Sequence, residues 1–241
     1  MNDMMGFIIG IVFVIVPIAI VGTVVYMIVQ SAKNKDAKFK ISAKTLFQIY
    51  LYLISFLTLI IAVIGGATAI KSALSYQFGI PFSYTLYRAN DFTEAKMYDP
   101  TLTRENFDTC YEGDPMVFGT TEYCFNTQLP KTELINGITI FISMVFLFAI
   151  HQFALSRIKG KERLQWLDKL YTFASLILYS IIGLVSIPTS IYQLTNFLLA
   201  ETDKNTYSTP EAPAMALAIA LMSVPLWIVF LKKTSDIKEE D

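Results

Sequence analysis

The sequence predicts an all-α integral membrane protein: a five-helix transmembrane bundle, N-terminus outside and C-terminus in the cytoplasm, with a folded extracytoplasmic loop. Three observations carry this expectation. The 241 residues are 54% hydrophobic and only 16% charged, where a soluble domain carries roughly a quarter charged residues. The charges fall in short blocks between apolar runs, and those runs exceed the roughly 18 residues that mark a membrane span. The basic blocks fall on one side of the membrane when five helices alternate.

The first run spans 1–30 and has no charge between Met4 and Gln30. Only Asp3 and the terminal amine precede it, so it lacks the basic start of a secretory signal peptide and reads as an uncleaved anchor. A basic cytoplasmic loop follows at 31–44, with Lys33, Lys35, Lys38, Lys40 and Lys44 against Asp36. The second run, 45–75, contains Gly65-Gly66 and Lys71. An acidic stretch at 76–132 then makes the extracytoplasmic loop. The third run is 133–156, and a second basic loop at 157–169 holds Arg157, Lys159, Lys161, Arg163 and Lys169. The fourth run is 170–200, a short outer loop is 201–211, the fifth run is 212–231, and a charged tail occupies 232–241.

The two basic loops and the tail hold 13 of the 19 Lys and Arg residues, the outer loops only 5. Removing any one helix would put basic segments on both sides, so the charge distribution supports the count of five. Trp166 and Trp227 fall at predicted inner ends of spans, where an aromatic belt is expected. Pro17, Pro188 and Pro225 lie inside apolar runs, where a membrane helix tolerates them as kinks. The second and fourth runs are about 30 residues, roughly 45 Å as helix, so they must tilt, bend or project beyond a hydrocarbon core of about 30 Å.

Runs two and four begin alike, with Lys44-Thr45-Leu46-Phe47 and Lys169-Leu170-Tyr171-Thr172-Phe173. Each is followed by a shorter returning run. The chain can be read as an anchor plus two parallel hairpins, a repeat known in some transporters; shared end signals of any two inside-to-outside helices give the same pattern. Runs two to five also resemble a bacterial four-helix integral membrane domain family of unknown function. The resemblance rests on the Lys-aromatic start of run two and on Arg163-Leu164-Gln165-Trp166-Leu167-Asp168-Lys169-Leu170-Tyr171. It covers about 44–233 without most of the outer loop, and implies a bacterial plasma-membrane location. The cysteine-containing loop and the first run depart from that family, and no catalytic residue carries over.

Cys110 and Cys124 are the only cysteines. Both lie in the predicted outer loop, an oxidising compartment, around the turn signal Glu112-Gly113-Asp114-Pro115. A structural disulfide is expected, worth roughly 3 kcal/mol by chain entropy. A redox-active pair would need a second, closely spaced pair, and there is no Cys-x-x-Cys. Residues 117–125 are expected to form a short strand pair. The loop is rich in aromatics, including Tyr84, Tyr87, Phe118, Tyr123 and Phe125, which predicts order rather than disorder.

His151 is the only histidine, so neither two axial haem histidines nor a three-histidine metal site can be built. Lys71 and Glu133 sit at the predicted outer ends of neighbouring helices. A charge within a span is a functional candidate, but Lys71 can snorkel, Glu133 can favour a helix N-terminus, and the two can pair. Asn136, one turn from Glu133, joins them as a candidate, and His151 is an interfacial polar group.

The net charge of −1 gives no reason to expect nucleic-acid binding. No cofactor is expected; bound lipid is. The absence of a nucleophile–base pair or metal-ligand spacing leaves a non-catalytic protein as the first expectation: an accessory or scaffold subunit that binds other membrane protein subunits through its helices and aromatic loop. A small solute transporter or channel is the alternative, and a membrane-embedded enzyme the third.

Overall fold

A computed structural model describes residues 43–89, 110, 113–118, 121–158, 163–199 and 208–237. The first apolar run and nearly all of the first basic loop lie outside these residues. Four long helices dominate: α1 (Ala43–Phe78), α3 (Leu129–Ser156), α4 (Gln165–Leu199) and α5 (Ala214–Ile237). Between α1 and α3 lie the single turn α2 (Ile80–Ser83) and the strands β1 (Tyr87–Arg88), β2 (Asp114–Phe118) and β3 (Thr121–Phe125). All four long helices are long and apolar enough to cross a membrane, which fits a multi-pass membrane protein.

The helices exceed the apolar runs at several ends because capping and turn chemistry, not hydropathy, set the limits. α3 begins at Leu129, four residues before the expected start. Asn126 accounts for this: its carbonyl accepts the Leu129 N–H at 3.0 Å and its side-chain oxygen accepts the Gln128 N–H at 3.0 Å. Pro130 follows in the first turn, where its missing N–H costs nothing. α4 begins at Gln165 rather than 170, with the Leu164 carbonyl accepting from the N–H groups of Leu167 and Asp168. Asp168 then lies in the first turn, where the helix dipole favours its charge. α1 and α4, at 36 and 35 residues, are each over 50 Å, roughly, at the α-helical rise. Both project beyond a hydrocarbon layer of about 30 Å.

The chain divides into two compact units. Among the described residues, the first comprises 43–60, 144–158 and 163–172. Its buried side chains include Leu51, Tyr52, Phe56, Leu155 and Leu167. Tyr171 packs on Tyr52 at 5.5 Å between ring centroids, and edge-on against Phe56 at 6.5 Å.

The second unit holds the rest of the four helices and the sheet. Here α1 and α3 touch through their backbones. A Cβ on Gly137 would stand 2.6 Å from the Ala69 nitrogen and 2.9 Å from the Gly65 carbonyl oxygen. Gly65 and Ala69 are one turn apart, so this is the small-residue contact by which membrane helices approach closely. On the same helix Gly66 makes room for the Met222 side chain of α5. Tyr179 of α4 stacks on Phe230 of α5 at 5.8 Å.

The sheet is antiparallel in the order β1-β3-β2. The expected strand pair starts earlier than Val117. Gly113 adopts φ +89°, a conformation that favours glycine, and Asp114-Pro115 open β2 instead of extending the turn. Pro115 fits because β2 is an edge strand. Tyr84, Leu86, Tyr123 and Phe125 form the core beneath the sheet. Cys110 is buried and disulfide-bonded to Cys124 of β3, with Cα atoms 5.5 Å apart.

Two glycine substitutions separate close contact from open space. Gly137→Ala is expected to lower unfolding stability in detergent by about 1–3 kcal/mol, because the methyl meets backbone that cannot rotate away. At Gly183 nothing described lies within 4 Å of an added Cβ, so Gly183→Ala should match or exceed wild type through helix propensity alone. Thermal unfolding of both variants, side by side, is the measurement.

Candidate functional site

Two polar clusters stand out, one in each unit. In the second unit, Lys71 lies near the end of α1 and Glu133 in the second turn of α3. The Lys71 ammonium donates to both Glu133 carboxylate oxygens, at 2.9 Å and 3.3 Å. The Tyr84 hydroxyl donates to the same carboxylate at 2.8 Å, and the ammonium stands 4.1 Å over the Tyr84 ring. Each side chain of the pair is less than a third exposed. The carboxylate therefore has two donors and the ammonium has both an anion and a ring face, which compensates their partial desolvation.

Local structure brings these groups together. Gly79, at φ +91°, ends α1 and turns the chain into Ile80-Pro81-Phe82-Ser83. The Ser83 hydroxyl then donates to the Lys71 carbonyl at 2.7 Å, and Ser72 donates to the Pro130 carbonyl at the start of α3. Tyr84 follows directly. Burial first, and then its hydrogen bond to Glu133, raises the Tyr84 phenol above the ordinary tyrosine value. Because α3 starts at Leu129, Glu133 lies one turn inside the helix instead of at its N-terminus, and Lys71 and Tyr84 hold it in place of the dipole.

The first unit contains a cluster that sequence reasoning missed. Gln48 of α1 is 1% exposed, and its side-chain oxygen accepts the Leu164 N–H at 2.9 Å just before α4. One turn along α1, the Tyr52 hydroxyl donates to Asp168 at 3.0 Å. Arg163 donates from Nε to the Tyr52 oxygen at 2.7 Å and from Nη2 to Asp168 at 2.7 Å. The segment Arg163–Tyr171, distinctive in the sequence, is thus where the start of α4 is fastened to α1 by residues more than a hundred positions apart. Nothing in the local sequence of 48–52 names that partner.

Asn136 is exposed on α3. His151 is only partly exposed; its Nδ1 lies 2.7 Å from the Leu147 carbonyl one turn back, and its ring is 5.8 Å from Tyr50. The structure brings neither to the Lys71–Glu133 pair. Among the described residues no group of His, Cys, Asp and Glu could hold a metal ion. The sheet adds a further candidate surface: register places Tyr87, Pro115 and Val117 on the face opposite Tyr123, and Val117 and Tyr87 are 72% and 66% exposed.

Comparison with protein-family models, with curated proteins and with solved structures finds no match to this chain. The class that the fold defines is therefore read from its four apolar helices and its small disulfide-bonded sheet.

The Lys71–Glu133–Tyr84 cluster makes two predictions. Lys71→Met or Glu133→Gln alone should destabilise the protein more than the double variant does, because each single change leaves a partner uncompensated; a double-mutant cycle on unfolding in detergent reads the coupling. The raised Tyr84 value means that the neutral phenol stabilises the fold. That contribution is complete below the ordinary tyrosine value of about 10 and is lost as pH rises towards the folded value. Tyr84→Phe should therefore show a smaller loss of stability than wild type between neutral and strongly alkaline pH.

Proposed function

We propose that the protein is a non-catalytic accessory or scaffold subunit of a membrane complex. In this reading the sheet lies outside the membrane and the basic segments lie in the cytoplasm, as the distribution of Lys and Arg favours. The observation that carries it is the apolar face of the sheet. Tyr87, Pro115 and Val117 share one face and are exposed, while the opposite face is packed on Tyr84, Leu86 and Phe125. An ordered sheet that displays apolar side chains off the membrane core is suited to a protein partner. Glu122, exposed and paired with Val117, puts one negative charge on this same face, while Arg88, paired with Tyr123, belongs to the other.

The partner is another membrane protein subunit, recognised by an extracytoplasmic segment with apolar residues for Tyr87 and Val117. The helices take lipid on their exposed faces: Ile142, Phe146, Ile150 and Phe153 of α3 are all exposed, as lipid-facing residues are. A second reading, a small solute transporter or channel, draws on the prolines inside α4 and α5.

Isolation from native membranes in mild detergent tests the proposal. A second membrane protein should co-purify with wild type in fixed ratio, and Tyr87→Asp/Val117→Asp should release it while the helix content is unchanged. A wild-type protein that purifies alone at its native level, or a double variant that keeps the same partner, overturns it.

A further inference from the structure

α4 has an apolar outward face and an inward face that carries several polar side chains. Ile177, Ile181, Leu184, Ile187 and Ile191 are exposed, while Ser175, Tyr179, Ser186 and Ser190 are buried. Ser175, Tyr179, Gly183, Ser186, Ser190 and Gln193 follow one another at intervals of three or four, so they share one face of the helix. From Ser175 to Gln193 this face is roughly 27 Å long, close to the thickness of a hydrocarbon core of about 30 Å.

Among the described residues, the hydroxyls of Ser175 and Ser186 find no partner. Ser175 is fully buried and Ser186 is 6% exposed. Serines in membrane helices commonly bond the carbonyl one turn back, as Ser190 does to Ile187 three residues back at 2.8 Å. Ser175 and Ser186 do not. An orphan buried hydroxyl costs about 1–3 kcal/mol, which a bound water removes where there is room and a second polar partner. Gly183, buried and one turn from both Tyr179 and Ser186, supplies no side chain, and nothing described lies within 4 Å of a Cβ placed there. Ser190 supplies the next hydroxyl along the face.

We propose that the buried face of α4 between Ser175 and Gln193 is a hydrated track that binds water, with sites at Ser175 and at Ser186 beside Gly183. The ligand class follows from the side chains. There is no charged residue from Leu170 to Ala200, and the carboxylate at the end of the face, Glu211, accepts from the Gln193 amide at 3.0 Å; an ion between Ser175 and Ser190 would meet no compensating charge on this helix, whereas hydroxyls both donate to and accept from a small neutral molecule. The inference stands apart from docking through the sheet.

X-ray hydroxyl-radical footprinting of the full-length protein in lipid nanodiscs tests it, because radicals generated from bound water oxidise the side chains beside that water. Tyr179 should be oxidised clearly faster than Tyr123, which is equally buried, at 1% exposure, but sits in the sheet core. Tyr179 labelling should fall severalfold in Ser175→Ala/Ser186→Ala, and also in Gly183→Leu, which fills the space without removing a hydroxyl. Wild-type Tyr179 as unreactive as Tyr123 would overturn the proposal, and that comparison requires no variant to fold. So would labelling that persists unchanged in either variant with native helix content.

Discussion

A lysine two turns from the end of an apolar helix is costly unless something meets its charge, and in the second unit that something is Glu133. The ammonium cannot be moved without leaving the carboxylate uncompensated, and the carboxylate also receives the Tyr84 hydroxyl. Tyr84 is the first residue after α2 and is two residues from the buried Leu86. Holding Tyr84 therefore fixes where β1 starts. β1 pairs with β3, β3 pairs with β2, and Cys124 of β3 ties in Cys110. The ion pair thus couples a helix–helix contact inside the apolar layer to the position of a sheet beside it.

The same unit shows why the two helices can bring these charges together. Gly65, Ala69 and Gly137 let the α1 and α3 backbones meet, and Lys71 lies half a turn beyond Ala69, Glu133 one turn before Gly137. Close approach of backbones in an apolar medium gains dispersion energy and weak Cα–H contacts but no hydrophobic energy, because lipid tails are as apolar as side chains. It fixes an axis without fixing rotation or register well. A hydrogen-bonded ion pair at one end supplies that register.

What was legible in the sequence follows from which forces are local. Hydropathy marks the middle of each span, because twenty apolar residues have few other uses, and four runs coincide with the cores of α1, α3, α4 and α5. The ends were less legible. Asn126 with Pro130 is a helix-start signal that outweighs the polar character of Lys131 and Thr132, and Gln165 opens α4 inside a segment that charge alone assigns to a loop. The disulfide was legible because the chain has only two cysteines, Cys110 and Cys124. By contrast, β1 is two residues long and gains its partners from β3 and from Ser208, with Leu86 and Thr209 exchanging hydrogen bonds at 2.9 and 3.0 Å. Such pairing across 123 positions leaves no periodicity in either segment. Gln48 and Tyr52 were hidden for the same reason: each reads as an interfacial polar residue until Leu164, Arg163 and Asp168 are placed beside it.

The polar groups of this chain are sorted by what can satisfy them, and that sorting bears on function. The charged groups in or beside the long helices sit near their ends, where a counter-charge, a ring face or headgroup water is within reach: Lys71 with Glu133, Arg163 with Asp168. On α4 several neutral hydroxyls face inward, among them Ser175, Tyr179 and Ser186, whereas Thr139 and Ser143 of α3 are exposed. A protein that moves ions by charge compensation would invert this order, with carboxylates or amines at mid-depth. Here one ion pair fastens α1 to α3 and the other, through Tyr52, fastens α4 to α1, and the inward face of α4 carries neutral hydroxyls. This arrangement leaves the exposed apolar face of the sheet as the surface whose composition solvent alone does not explain.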